Sequence, residues 1–273
     1  MERSPCEVYR FPDFQNPSLI VGWQTQDVGR LGTGVIDFLN EKLGGEEVGK
    51  IKPVDYFSLS GVRIENDVAR IPQTKFFACE KNNLLLFKSD EPEDEWYRFL
   101  NFLLDIANSL KIREFYTING NPSLISHSQH RRMLTVFNER EFGEDLGKYD
   151  LSGMYYEGPP ALSSFLLWCG KRRNIPGASI WVDVPIYLAS LKDPLAQKQV
   201  IDFLNRRFSL KINLEELDLE IENQSSKIEE LKEKDAEIKR FLNLLESGIG
   251  LDSEEQLKLA RRIYDLFGKE AEG

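Results

Sequence analysis

His127, His130, Arg131 and Arg132 stand close together at the end of a polar stretch that opens at Asn119 and also holds Asn121, Ser123, Ser126 and Ser128. No denser polar cluster exists in the chain, and both of its histidines lie there. An arginine pair can grip a phosphate or carboxylate through forked, charge-assisted hydrogen bonds. A histidine titrates near enough to neutral pH to act as general acid or base. The cluster is therefore a candidate site for a small anionic substrate such as a nucleotide, a phosphate ester or a carboxylate. Asp183 follows an apolar run ending at Val182 and would bring a carboxylate to the edge of such a site, although Asp-Val-Pro is also a good turn sequence. The plainer reading is a loop whose polar groups cap turns and pair with an acidic surface, and the residues fit it better. Two histidines at i, i+3 with no adjacent Cys, Asp or Glu supply only two of the three or four ligands a metal needs, so no metal site is expected.

A second candidate is the loop from Gly22 to Gly34, which would lie at the carboxyl end of the first strand and the start of a helix, where doubly wound sheets bind ligands. Gln24 and Asp27 are its polar side chains of interest. The glycines follow G-x-x-G-x-G from Gly29 to Gly34, which is neither the dinucleotide fingerprint nor a phosphate-binding loop with its lysine. Asp27 is placed to cap the helix and use the N–H groups a phosphate would need. Close helix–sheet packing is the expected role of the glycines. No G-x-S-x-G elbow is present, no cysteine has a histidine near it, and Cys79 and Cys169 sit in apolar contexts as core residues. No catalytic residue and no cofactor is assigned.

The elements that must position these residues alternate in type. Ser18–Trp23 reads as a strand and Val28–Leu43 as a helix closed by Gly44-Gly45. Val54–Leu59, Gly61–Ile64, Val68–Ile71 and Lys75–Cys79 are β-rich pieces of an antiparallel insertion. Leu84–Phe87 is a strand buried on both faces, Trp96–Leu110 a helix and Glu114–Ile118 the next strand. This strand–helix–strand order implies a right-handed crossover in a mainly parallel sheet. Asn119–Pro122 should end that strand in a turn. Further elements are a strand at Met133–Phe137, a short helix at Glu139–Leu146, helices at Ala161–Lys171 and Pro194–Phe208, and a strand at Ile175–Val182. The sum is a three-layer α/β sandwich over residues 1–212.

Residues 213–273 differ in character. Leu217, Ile221, Gln224, Ile228, Leu231, Asp235, Ile238, Leu242, Leu245 and Ile249 alternate steps of 4 and 3, a coiled-coil seam with two polar breaks. Ser253 can cap a further helix, with Gln256 at its third position. An acidic helical hairpin, extending from the core without chemistry of its own, is expected.

Net charge is −10, and Leu214–Ser247 supplies −6 of it. Basic pairs are scattered rather than gathered into a stripe, so nucleic-acid binding lacks its electrostatic footprint. Three well-separated cysteines form no disulfide framework, no apolar run is long enough to span a bilayer, and the first residues carry no secretory pattern. A cytoplasmic protein without membrane contact is expected.

Seven segments in order carry a resemblance: Leu19-Ile-Val-Gly-Trp-x4-Val-Gly-Arg-Leu31, Asn83-Leu-Leu-Leu-Phe87, Phe115-Tyr-Thr-Ile-Asn-Gly-Asn-Pro122, His130-Arg-Arg-Met-Leu-Thr-Val-Phe-Asn138, Gly158-Pro-Pro-Ala-Leu-Ser-Ser-Phe-Leu-Leu167, Ile175-Pro-Gly-Ala-Ser179 and Ile212-Asn-Leu-Glu-Glu-Leu-Asp218. Over roughly Ser18–Asp218 the chain resembles the proteasome assembly chaperone 2 family in its prokaryotic branch, some of whose members carry an ATP-grasp superfamily label. The resemblance implies a phosphorylase/hydrolase-like three-layer α/β fold, homo-oligomers, and partners that are proteasome subunits or another protein complex, with no established catalytic residues. Two departures stand out. Gln24–Asp27 occupies the place of a small, glycine-rich first loop. The last residues, Lys269-Glu-Ala-Glu-Gly273, lack the hydrophobic-Tyr-any motif that docks on proteasome rings, so docking of that kind is not expected. A non-enzymatic, oligomeric protein-binding or assembly-chaperone-like protein is the function expected first. An enzyme for a small anionic substrate at the 119–132 loop is the alternative.

Overall fold

The computed structural model of the chain describes residues 6–52, 56–57, 63–65 and 68–268. The β piece expected at Val54–Leu59 lies outside these residues apart from Tyr56 and Phe57, and Asn66-Asp67 lies outside them altogether. The strands are β1 (Cys6–Val8), β2 (Ser18–Trp23), β3 (Glu46–Ile51), β4 (Arg63–Glu65), β5 (Val68–Arg70), β6 (Thr74–Cys79), β7 (Leu84–Ser89), β8 (Glu114–Ser123), β9 (Met133–Phe137), β10 (Ser152–Gly153) and β11 (Gly177–Pro185). The helices are α1 (Leu31–Leu43), α2 (Trp96–Ser109), α3 (Arg140–Leu146), α4 (Leu162–Lys171), α5 (Pro194–Phe208), α6 (Glu215–Lys234), α7 (Ala236–Glu246) and α8 (Ser253–Gly268).

Nine strands form one sheet in the order β1-β3-β6-β7-β2-β8-β11-β9-β10, while β4 and β5 pair separately. The sheet is mixed. β2 runs parallel to both β7 and β8, as the strand–helix–strand unit around α2 requires, whereas β1, β3, β6 and β7 pair antiparallel in turn. The antiparallel insertion thus contributes part of the main sheet. Strand β3, which precedes the expected insertion, was not legible because Glu46, Glu47, Gly49 and Lys50 interrupt any apolar alternation. Gly49 is there for a physical reason: a Cβ would stand 2.8 Å from the Glu7 carbonyl oxygen on β1.

The chain divides into two compact units. The first comprises residues 1–26, 35–118 and 135–180. Its core gathers Leu19, Val21 and Trp23 of β2, Leu85 and Phe87 of β7, and Leu166 and Cys169 of α4 with the apolar face of α2. That face is Phe99, Leu100, Leu103, Leu104 and Ala107, all buried, as the 3.6-residue spacing dictates. Phe87 packs on Phe76 and Phe99, with ring centroids 4.5 and 6.3 Å away. The buried Trp23 indole needs an acceptor and donates to Ser163 Oγ at 3.1 Å.

The second unit comprises residues 27–34, 119–134 and 181–273. Here α6 packs on α5 and α7, and α8 packs on α7 and on the 3₁₀ turn Ile186–Leu188. Three helices follow α5 where two were expected. Both polar breaks in the seam have a task. Gln224 donates from Nε2 to the Lys192 carbonyl at 2.8 Å, and Asp235 leaves the helical region at φ −128° and ψ 108° to cap α7 through Glu237 N and Ile238 N. Asp235 thus ends one helix with its backbone and starts another with its side chain. The cap of α8 also differs from expectation. Asp252 accepts from the N–H groups of Glu254 and Glu255, each at 2.9 Å, while Glu255 reaches back to Asp252 N. This is a capping box one residue earlier than the one predicted from Ser253.

Replacing Asp235 with Ala is expected to lower unfolding stability by about 1 kcal/mol, measured by urea titration, through loss of the α7 cap. Replacing Ser253 with Ala should change it by only a few tenths of that.

Candidate functional site

The polar stretch from Asn119 does not begin with a turn. β8 continues to Ser123, and its extension is held by the Asp183 carboxylate, which lies inside β11 and is 4% exposed. Asp183 Oδ1 accepts from Asn121 Nδ2 and from Ser123 Oγ, both at 2.7 Å, and Oδ2 accepts from Arg132 Nε at 3.1 Å. The strand ends at Pro185 rather than Val182 because Asp183 N still bonds to the Arg132 carbonyl at 3.0 Å. Asn121, Arg132 and Asp183 are therefore brought together, with the carboxylate fully engaged by its neighbours.

Arg131 points the other way and is 1% exposed. Its Nε donates to Asp193 Oδ2 at 2.8 Å, Nη1 to the carbonyls of Ser126 and Gln129 at 3.0 and 2.5 Å, and Nη2 to the His127 carbonyl at 3.0 Å. Three of these bonds hold the loop's own carbonyls and the fourth holds Asp193, so the guanidinium is turned away from the role of an anion clamp. Asp193 is fully buried, and its other oxygen caps α5 by accepting from Leu195 N and Ala196 N, with Pro194 at the first helical position. One carboxylate thereby fixes both the guanidinium and a helix start.

His127 is also buried. Its N–H donates to Tyr187 Oη at 2.5 Å, and the tyrosine hydroxyl lies 3.1 Å from His127 Nδ1. The hydroxyl is free to donate to Nδ1, which puts the ring proton on Nε2, 3.3 Å from Glu229 Oε1 of α6. The contact is not an aligned hydrogen bond, so Nε2 is buried without a hydrogen-bond partner among the described residues. Burial holds the His127 pKa below the usual 6.5; Arg131 and Lys232 add to that, while Glu229 and Glu246 oppose it. Burial likewise pushes the Tyr187 hydroxyl up. His130 is exposed, with Nδ1 2.7 Å from Gln199 Nε2, and it does not join His127 in one site. Asn119 is half-buried near the Gly120 crossing described next.

Asp27 accepts from Gly32 N at 2.8 Å and from Thr33 N at 2.9 Å, and so occupies the free N–H groups at the start of α1. The turn Val28–Arg30 before that helix is closely fitted. Gly29, at φ +69°, donates to the Ala189 carbonyl and accepts from Asp193 N, and a Cβ on it would come 3.1 Å from the Val184 methyls. Across from it, a Cβ on Gly120 would stand 2.2 Å from the Val28 carbonyl oxygen. Gln24 belongs to the first unit, where its Nε2 donates to Asp90 at 3.0 Å. Cys79 and Cys169 are buried, and burial raises the Cys79 thiol to about 12, far from a nucleophile's range. Among the described residues no group of three His, Cys, Asp or Glu side chains could hold a metal ion, and no helix is long and apolar enough to cross a membrane.

Asp193, Tyr187 and Glu229 complete this network and were not picked out from sequence. Asp193 before Pro194 does carry the pattern of a helix cap, but nothing local signals its pairing with Arg131.

Truncating Arg131 to Ala should cost about 3–5 kcal/mol in urea unfolding, because Asp193 is left as a buried, uncompensated charge. Arg132→Ala should cost less than about 1 kcal/mol, since that pair is exposed on the arginine side. The histidine gives a pH dependence with a definite sign. The folded state holds His127 neutral below 6.5 while the unfolded chain takes up the proton, so its contribution is complete above 6.5 and is lost as pH falls toward the folded-state value. Between pH 7.5 and 5.5 stability should drop more steeply in the natural chain than in His127→Asn.

Residues 19–232 match the sequence pattern of the PAC2 family. No curated protein matches the chain. Among solved structures, a protein of unknown function from Corynebacterium glutamicum aligns with a TM-score of 0.75 at 19% identity, covering 89% of this chain and 96% of that one. The Mycobacterium tuberculosis proteasome-assembly chaperone homologue Rv2125 aligns at 0.71 and 16% identity, covering 82% and 99%. PbaB from Pyrococcus furiosus, described as an archaeal proteasome activator, aligns at 0.65 and 18% identity, covering 83% and 98%. At these identities the structures share the fold, and the family match extends over most of the sequence. The chain belongs to the PAC2 family.

Proposed function

We propose that the protein is a non-enzymatic, oligomeric, assembly-chaperone-like binding protein that works in the cytoplasm on a protein complex, with proteasome subunits as the first partners to test. The observation that carries this reading is the fold shared with a proteasome-assembly chaperone homologue and with a proteasome activator, in a chain of the same family. The 119–132 stretch supports it from another direction. Arg131 and Asp183 spend their polar groups on their own unit, His127 is bonded there through its backbone N–H and Nδ1, and a substrate would have to displace those bonds. In this reading Gln24, Asp27, Asn119, Asn121, His127, His130, Arg131, Arg132 and Asp183 shape and support binding surfaces. The sheet forms the middle of three layers over residues 1–212, and the acidic helices of 213–273, whose seam is buried within their own unit, act as a partner-facing extension through their outer, charged faces. Self-association needs no added ligand or metal.

Size-exclusion chromatography with light scattering should give a mass of at least two chains at micromolar concentration, and capture with purified 20S proteasome subunits should retain the protein. A monomer at every concentration that also fails to bind those subunits would remove the reading.

A further inference from the structure

In the first unit, α2 and α4 pack together and leave an aromatic face outward. Tyr97 and Trp168 are 43% and 46% exposed, with ring centroids 5.8 Å apart. The Arg172 guanidinium stacks over the Trp168 ring at 4.9 Å. Lys171 and Arg172 lie three and four residues beyond Trp168, beside the same face, and neither has an ion-pair partner among the described residues. Arg173 is neutralised by Asp105. Trp, Tyr and Arg held in this way are the residue types that dominate binding energy at protein interfaces. Lys171 and Arg172 thus put positive charge beside the two rings in a chain of net charge −10.

A fitting surface of opposite sign exists on α6. Leu219 is 67% exposed, while Leu217 and Ile228 of the same helix are buried. Glu215 and Glu222, four residues before it and three after, are exposed on the same side and make no ion pair among the described residues. One surface is an aromatic platform with free cations; the other is an aliphatic knob flanked by free carboxylates.

We propose that the Tyr97–Trp168 platform of one copy receives the Leu219 face of α6 from a second copy, Lys171 and Arg172 meeting Glu215 and Glu222. This inference rests on the oligomeric reading above and adds the contact that builds the oligomer. The contact joins two different surfaces, so each copy offers one partner for its platform and one for its α6 face.

Charge reversal tests it in the full-length protein. Arg172→Glu alone sets glutamate against Glu222, and Glu222→Arg alone sets arginine against Arg172. Each variant, with unchanged circular dichroism, should self-associate roughly tenfold or more weakly than the natural chain. Mixing the two should restore assembly, since one type of contact is then reversed on both sides and the other is natural. Light scattering of the separate and mixed variants reads this directly. If the natural chain assembles and either variant assembles equally well, or the mixture does not recover, the contact is wrong while the oligomeric reading stands. If the natural chain is a monomer at every concentration, the contact fails together with the oligomeric part of the proposed function, and subunit capture alone decides the rest.

Discussion

Taking a guanidinium and a carboxylate out of water costs several kcal/mol for each ion, and their attraction repays this only when every remaining donor and lone pair is used. The Arg131–Asp193 pair, at 1% and 0% exposure, comes close to that condition, with four hydrogen bonds from the guanidinium and three to the carboxylate. The arginine closes the 126–129 turn on three carbonyls, and the aspartate caps α5. Through Asp193 N the pair also reaches the Gly29 turn, which precedes the helix capped by Asp27. The loop before β9, the turn before α1 and the start of α5 therefore share one buried centre in the second unit. A half-satisfied version of that network would be worse than an apolar core, so its members constrain one another strongly.

The same constraint bears on function. A cluster of His, Arg, Asn and Asp resembles an active site when read as composition, yet catalysis requires groups left free for a substrate. Here the arginine is spent on backbone carbonyls, the buried histidine faces a tyrosine and a glutamate of its own unit, and the carboxylate of Asp183 is shared by Asn121, Ser123 and Arg132. Polar groups committed in this manner make a rigid scaffold. Rigid scaffolds that present exposed aromatic and charged faces suit recognition of other proteins.

Much of the fold was legible from local physics. Pro194–Phe208 emerged as α5 with its predicted boundaries, and the apolar spacing of α2 gave its buried face. What escaped was set by tertiary contact. β3 lacks a strand pattern because its Gly49 answers to the approach of β1, and β8 runs past Asn119 because Asn121 and Ser123 find Asp183 on another strand. The break between α6 and α7 was visible as a polar residue in the seam, but a heptad does not reveal whether Asp235 will be tolerated or will cap. At the candidate site the residue types were found and their directions were not. Adjacent arginines point to opposite surroundings, Arg131 inward and Arg132 outward, and that choice depends on Asp193, sixty-two residues from Arg131.

Buried Ser126, His127 and Arg131 anchor the 126–131 segment as a structural element rather than a mobile substrate loop. Amide hydrogen exchange of the natural protein tests it most directly, because His127 N bonds to Tyr187, Gln129 N to the Ser126 carbonyl and Ser126 N to the Gln129 side chain. These amides should exchange about as slowly as those of α5, through the same cooperative opening. Exchange at the rate of an unprotected loop, with α5 still protected, would contradict the account.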